Sequence, residues 1–164
     1  MTKEVRELQI QKIAEFPAKL RQIVGRFTPA LLQLNCPPSH PTLDGDWTLA
    51  QTIHHIADSH INSYTRMKFI LTENRPTIKT WAQQSWAELP DAKELDVEDS
   101  VAILVALHKR WVNLLTNLQD SDFDRVGNHP VTGEITIADL LETYSRHGED
   151  HLEQIELLLA QNQN

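Results

Sequence analysis

The chain reads as an all-α protein, a four-helix bundle with a long crossover between its second and third helices and a small hairpin before the fourth. Three observations predict this. Four segments of roughly twenty residues repeat their apolar positions at a helical spacing. The composition is rich in Leu, Ala, Gln and Glu and holds only 5 glycines and 6% aromatic residues, a mix that favours helices over sheets. One link, about two dozen residues long, is too long for a tight turn between neighbouring helices. With 164 residues, 40% of them hydrophobic, the chain is expected to form one domain, residues 1–164, around a core of its own.

The first segment runs from Glu4 to Val24, with Val5, Leu8, Ile13, Phe16, Leu20, Ile23 and Val24 as its apolar face. Pro17 interrupts it and predicts a kink or a break. Thr28-Pro29 then reads as an N-cap followed by a first-turn proline, opening a short turn through Leu34. "CPPSHPTLDGD" is a loop by its prolines and turn formers. The second segment spans Thr48 to Thr72 with Leu49, Ile53, Ile56, Ala57, Tyr64, Met67 and Leu71 on one face. In the crossover, "PTIKTWAQQSWAELPDAKELD", short helical turns are expected, with Trp81 and Trp86 packed on the bundle.

The third segment, Val97 to Leu118, presents Val101, Leu104, Val105, His108, Val112 and Leu115. "NHPVTGEITIAD" carries a hairpin signal at Thr132-Gly133. The fourth segment, Ile137 to Ala160, presents Leu140, Leu141, Tyr144, Ile155, Leu158 and Leu159, and "QNQN" is a polar tail expected to fray.

Several function classes lose support at once. A net charge of −8 with scattered Lys and Arg leaves no basic patch for nucleic acid. Cys36 is the single cysteine, so neither an internal disulfide framework nor a thiolate zinc cluster can form within one chain. The charged opening "MTKEVRELQI" has no signal-peptide core, and no apolar run approaches the ~20 residues of a membrane span. A cytoplasmic protein with no membrane partner is the expectation. No nucleophile elbow, P-loop or dinucleotide fingerprint occurs.

Histidine supplies the chemistry. In "YSRHGEDHLEQI", His147 and His151 are four residues apart, so a helix puts both on one face, within reach of one cation. They lie near the apolar side of their segment, where buried imidazoles need partners. "TIHHIADSHINSY" offers His54, His55 and His60. At about 100° per residue His60 falls on the apolar face with Ile53, Ile56, Tyr64 and Met67. His55 falls opposite, in a polar stripe with Ser59, Asn62 and Arg66, which reads either as solvated surface or as the wall of a pocket between helices. Periodicity alone favours His60 as the inward ligand. His108 is a core or pocket-lining candidate, His129 and His40 are loop residues beside proline, and Asp58 and Asp150 are candidates to orient imidazoles.

The block "DGDWTLAQTIHHIADSHINSYTRMKFILTENRPTIK" resembles the YfiT-like branch of the DinB superfamily. "LHKRWVNLL", "HPVTG" and "YSRHGEDHLEQI" resemble its later blocks in the same order, so the resemblance covers nearly the whole chain. It implies a four-helix bundle, a homodimer, and a divalent metal, zinc or nickel, held by three histidines. By that pattern the ligand of the second helix is the histidine followed by an apolar residue and Ala, which is His55, and the other two are His147 and His151. The resemblance thus selects His55 over His60 and turns Asp58, Asn62 and Arg66 into pocket-lining, catalytic candidates. The chain departs from the pattern in the "GED" between its last two histidines, where relatives can carry further histidines.

Three neutral imidazoles leave coordination positions open, the arrangement of a catalytic site. The resemblance implies two chemistries: transfer of a low-molecular-weight thiol such as bacillithiol to an electrophilic small molecule, which is the preferred expectation, or hydrolysis by metal-activated water. A non-catalytic, metal-binding dimerisation module is the third. Arg66 is placed to steady an anionic thiol or substrate, and Trp81, Trp86 and Trp111 either wall the pocket or pack in the core.

Overall fold

The structure, a computed structural model, describes residues 1–38 and 46–162; His40 and the last two residues of the tail lie outside them. Its helices are α1 (Lys3–Val24), α2 (Pro29–Leu32), α3 (Leu49–Thr72), α4 (Gln83–Ala87), α5 (Glu98–Thr116) and α6 (Ile137–Gln161), with 3-10 turns at Asp91–Lys93 and Asp120–Asp124. The four long helices make the bundle: α1 packs against α5 and α6, and α3 packs against the same two. Among the described residues no helix is long and apolar enough to cross a membrane.

Local side-chain chemistry starts several of these helices. Thr48 and Gln51 form a capping box at the head of α3, the Thr48 hydroxyl accepting from Gln51 N at 3.2 Å and the Gln51 side chain accepting from Thr48 N at 3.0 Å. Thr136 and Asp139 do the same for α6. Thr28 caps α2 with Pro29 at its first position, as the sequence predicts. The hairpin forms from β1 (Val126–His129) and β2 (Gly133–Thr136), paired antiparallel with His129 opposite Gly133. His129 closes its turn, Nδ1 accepting from Thr132 N at 3.1 Å, and Gly133 supplies the φ of +82° that the turn requires. Thr77 of the crossover bridges to Asn128, so the crossover is tied to β1.

Three sequence expectations are corrected. Pro17 does not end α1, which runs unbroken through it. The carbonyl that loses its helical donor there finds another partner, described below. Val5, Leu8 and Val105 are 45%, 54% and 42% exposed, because the inward arcs of α1 and α5 are narrower than the apolar stripe, and Ile10 and Trp111 are buried in those helices instead. Trp86 stays 39% exposed and meets the protein through Trp81, their rings 4.9 Å apart. His54 ties elements together. Its Nε2–H donates to the Glu94 carbonyl at 3.0 Å and its Nδ1 accepts from Ser100 Oγ at 2.8 Å, which pins the crossover and α5 onto α3.

The apolar core falls into two clusters. One joins Phe16, Leu20 and Ile23 to Leu49, Ile53, Leu104, Ile155 and Leu158. The other joins Ile10 and Ile13 to Met67, Ile70, Trp111, Leu115, Leu141 and Tyr144. Three of the long helices also carry a polar layer: His60 on α3, His108 on α5 and His151 on α6 are buried, and His147 on α6 is half-buried. Gly148 lets α1 close over this layer, since a Cβ there would stand 2.7 Å from the Phe16 ring. Gly148→Ala is therefore expected to destabilise the chain by about 1–3 kcal/mol through overpacking. Urea titration measures this, and an unchanged midpoint would mean that Phe16 moves aside freely.

Candidate metal centre

Among the described residues, one group of metal-ligating side chains converges: His55 from α3 with His147 and His151 from α6, one nitrogen of each lying within 4.8 Å of the others. The i, i+4 spacing of His147 and His151 brings their rings to 4.5 Å, and the His55 ring stands 5.6 Å and 5.4 Å from them. The stripe that periodicity assigns to the outside of α3 is thus inside. His55 is 5% exposed and His60 is 0% exposed, so both sides of α3 are buried at this level. The crossover is the cause, because it lays Trp81 over His55, rings stacked at 5.6 Å. Trp47, just before the α3 cap, covers His55 from another side at 4.5 Å and donates its Nε1–H to Gln84 at 3.0 Å.

The donor set tests well for a cation. His55 Nδ1 and His151 Nε2 are buried with no hydrogen-bond partner, a costly state for polar atoms and the one expected of lone pairs kept for an ion. His151 donates its other nitrogen, Nδ1–H, to Gln154 Oε1 at 2.9 Å, which fixes the tautomer that leaves Nε2 bare. At His147, Ser59 Oγ lies 3.5 Å from Nε2, too far to satisfy it. All three rings are held neutral, as ligation needs. Burial pushes His55 down to about 3, with His151 beside it adding to the effect. Burial brings His151 down to about 4 against the opposing pull of Gln154 and Asp150, and it puts His147 well below its ordinary value.

The other sequence candidates lie outside the converging group. Arg66 Nη2 donates to the Lys79 carbonyl at 3.0 Å, holding the crossover, while its buried Nε has no partner. Asn62 turns back on its own helix, Nδ2 donating to the Asp58 carbonyl at 2.9 Å. Asp58 is half-buried, and its carboxyl is pushed up first by burial and then by Asp91 of the crossover, against a smaller opposing pull from His54. Trp111 is fully buried in the core, its Nε1–H donating to Met67 Sδ at 3.1 Å. Cys36 is buried, and burial raises its thiol to about 11, leaving it inert. Sequence reasoning missed Trp47 and Gln154. Gln154 carries a usable signal, its i+3 spacing from His151; Trp47 carries none, since only the fold sets it against His55.

A sequence model of the DinB superfamily matches residues 13–155. A Bacillus cereus (strain 03BB102) protein named "Putative metal-dependent hydrolase" is 42% identical over 151 residues, spanning 92% of this chain and 83% of its own. A Bacillus thuringiensis subsp. konkukian (strain 97-27) protein of the same name shows the same identity and coverage. Among solved structures, YfiT from Bacillus subtilis, described as "a probable metal-dependent hydrolase with an unusual four-helix bundle topology", superposes with a TM-score of 0.89 at 40% identity. That match covers 98% of this chain and 89% of YfiT.

Proposed function

The chain belongs to the DinB superfamily, and from that premise we propose that it is a metal-dependent enzyme whose divalent cation, zinc or nickel, is held by His55, His147 and His151. The observation that carries this reading is the pair of buried, partnerless imidazole nitrogens on His55 and His151, converging with a third ring. Such a cation supplies a Lewis acid that lowers the pKa of a thiol or a water and leaves a nucleophile at neutral pH. Among the described residues the converging group contains histidines only, so in this reading the cation itself activates the nucleophile.

The reaction favoured here is transfer of a low-molecular-weight thiol, of the bacillithiol kind, to an electrophilic small molecule. The protein's own groups serve it in distinct ways. Gln154 orients His151, Trp47 and Trp81 shield the His55 side from water, and the free Nε of Arg66 offers a donor to an anionic group on the thiol or its acceptor. Hydrolysis is the second reading, favoured by the names the relatives carry.

One assay separates the two. Zinc- or nickel-loaded protein is mixed with a thiol and monochlorobimane, whose chloride the sulfur displaces to give a fluorescent thioether; ester hydrolysis is followed in parallel. Metal-dependent conjugation that His55→Ala and His151→Ala each reduce at least about 100-fold is expected, the scale of losing one of a few ligands. If neither activity depends on those histidines, the chain is a metal-binding or dimerisation module and the proposal fails.

A further inference from the structure

Two rings outside the ligand set, His108 and His60, form with the ligand His147 a continuous hydrogen-bonded row that begins at a main-chain carbonyl. Proline has no N–H, so Pro17 leaves the carbonyl of Ile13, four residues earlier in α1, without its helical donor. His108 Nδ1 of α5 lies 2.6 Å from that oxygen. A carbonyl only accepts, so the proton resides on His108 Nδ1, and in the neutral ring Nε2 carries the lone pair. His60 Nδ1 of α3 is 2.7 Å from His108 Nε2 and must therefore donate to it. His60 Nε2 is then an acceptor, and His147 Nδ1 of α6, 3.1 Å away, donates in turn. The row ends with the lone pair on His147 Nε2, which the Ser59 hydroxyl faces at 3.5 Å.

Nothing around the row offers another pattern. His60 and His108 are 0% and 1% exposed. The Phe16 ring covers both, at 5.2 Å and 5.3 Å, and Trp111 stands edge-on to both at 5.9 Å and 5.6 Å. Rings this completely buried, among aromatic side chains, stay neutral.

We propose that His60 and His108 are positioning residues for His147: the Ile13 carbonyl, freed by Pro17, imposes one tautomer on all three rings and holds the His147 Nε2 lone pair ready for the cation. This rests on the reading of His147 as a ligand. Ligand histidines usually donate their second N–H directly to a carbonyl, a carboxylate or water. Here two further imidazoles pass the same constraint through one residue from each long helix, α1 to α5 to α3 to α6. Any rearrangement of the bundle that breaks one link releases His147 to carry its proton on Nε2, the ligand atom itself.

Nitrogen-15 NMR of the metal-free, histidine-labelled chain reads each tautomer directly, and zinc titration against a competing chelator reads affinity. The Nδ1–H form is expected at His108, His60 and His147. His108→Leu is expected to bind zinc 10–100-fold more weakly, the usual scale for losing an outer-shell partner, with Nε2–H appearing at His147. His108→Gln, whose side-chain carbonyl still accepts from His60 Nδ1, is expected to keep most of the affinity. An Nε2–H form of His147 in the metal-free wild type overturns the proposal whether or not the variants fold, and so does a His108→Leu chain that binds zinc as wild type does. A wild type that shows these tautomers yet takes up no zinc overturns the metal reading of the site instead.

Discussion

His55→Leu is expected to weaken zinc binding by roughly 10²–10³-fold while raising the melting temperature of the metal-free protein. The two effects have opposite signs because they have different causes. Structural zinc sites bind with about 10–16 kcal/mol over four ligands, so one ligand is worth about 3–4 kcal/mol, or two to three orders of magnitude. Without the ion, His55 Nδ1 is a buried polar atom with no partner, a state that costs about 1–3 kcal/mol. Leucine fills similar space between Trp47 and Trp81 and removes that cost. At about 2–4 °C per kcal/mol for a chain of this size, a rise of several degrees follows. The wild type should recover the difference when zinc is added, since a ligand at a thousandfold excess over Kd stabilises by about 4 kcal/mol. Differential scanning calorimetry with and without zinc checks both. A metal-free His55→Leu chain that melts well below wild type would mean that His55 is an ordinary, satisfied core residue.

The second large effect is acid unfolding of the metal-free protein with a midpoint near pH 5. Five histidines, His55, His60, His108 and His151, which are buried, and His147, which is half-buried, have folded pKa values pushed below their ordinary one, mainly by desolvation. The unfolded chain binds protons on these rings from about pH 6.5 downward, whereas the folded chain does not until much lower. Stability therefore falls as pH falls. The loss is absent above about pH 6.5 and accumulates toward pH 4, where His108 and His151 begin to protonate in place. At pH 5 each ring kept neutral costs about 2 kcal/mol, so the five together approach 10 kcal/mol, the order of a whole domain's stability. Circular dichroism across pH 4–8 should show cooperative loss of helix with uptake of several protons, and added zinc should move the midpoint to lower pH. Native helix persisting to pH 4 would contradict the burial of these rings.

The same histidines show where local pattern suffices and where it stops. His147 and His151 need only helical spacing to share a face, and the structure brings them together. His55 and His60 pose the harder case. Their positions on α3 differ by five residues, so periodicity puts them on different sides and names His60 as the inward one. That reasoning assumes one face of the helix is wet. In the folded chain the crossover and Trp81 cover the polar stripe, so both histidines are buried, and the resemblance of "HHIAD" to its family block points to His55 where periodicity cannot.

By itself the sequence determines the four helices, the hairpin and the His147–His151 pair, because hydrophobic periodicity and turn chemistry act between residues a few positions apart. Only the tertiary structure decides the rest. Pro17 reads locally as a defect in α1; its freed Ile13 carbonyl acquires meaning from His108, 95 residues away. Which nitrogens are left bare at the centre, and which side of α3 is inside, depend on contacts between helices and on a crossover with no repeating pattern. Such contacts are set by packing against distant elements, and no spacing within a segment encodes them.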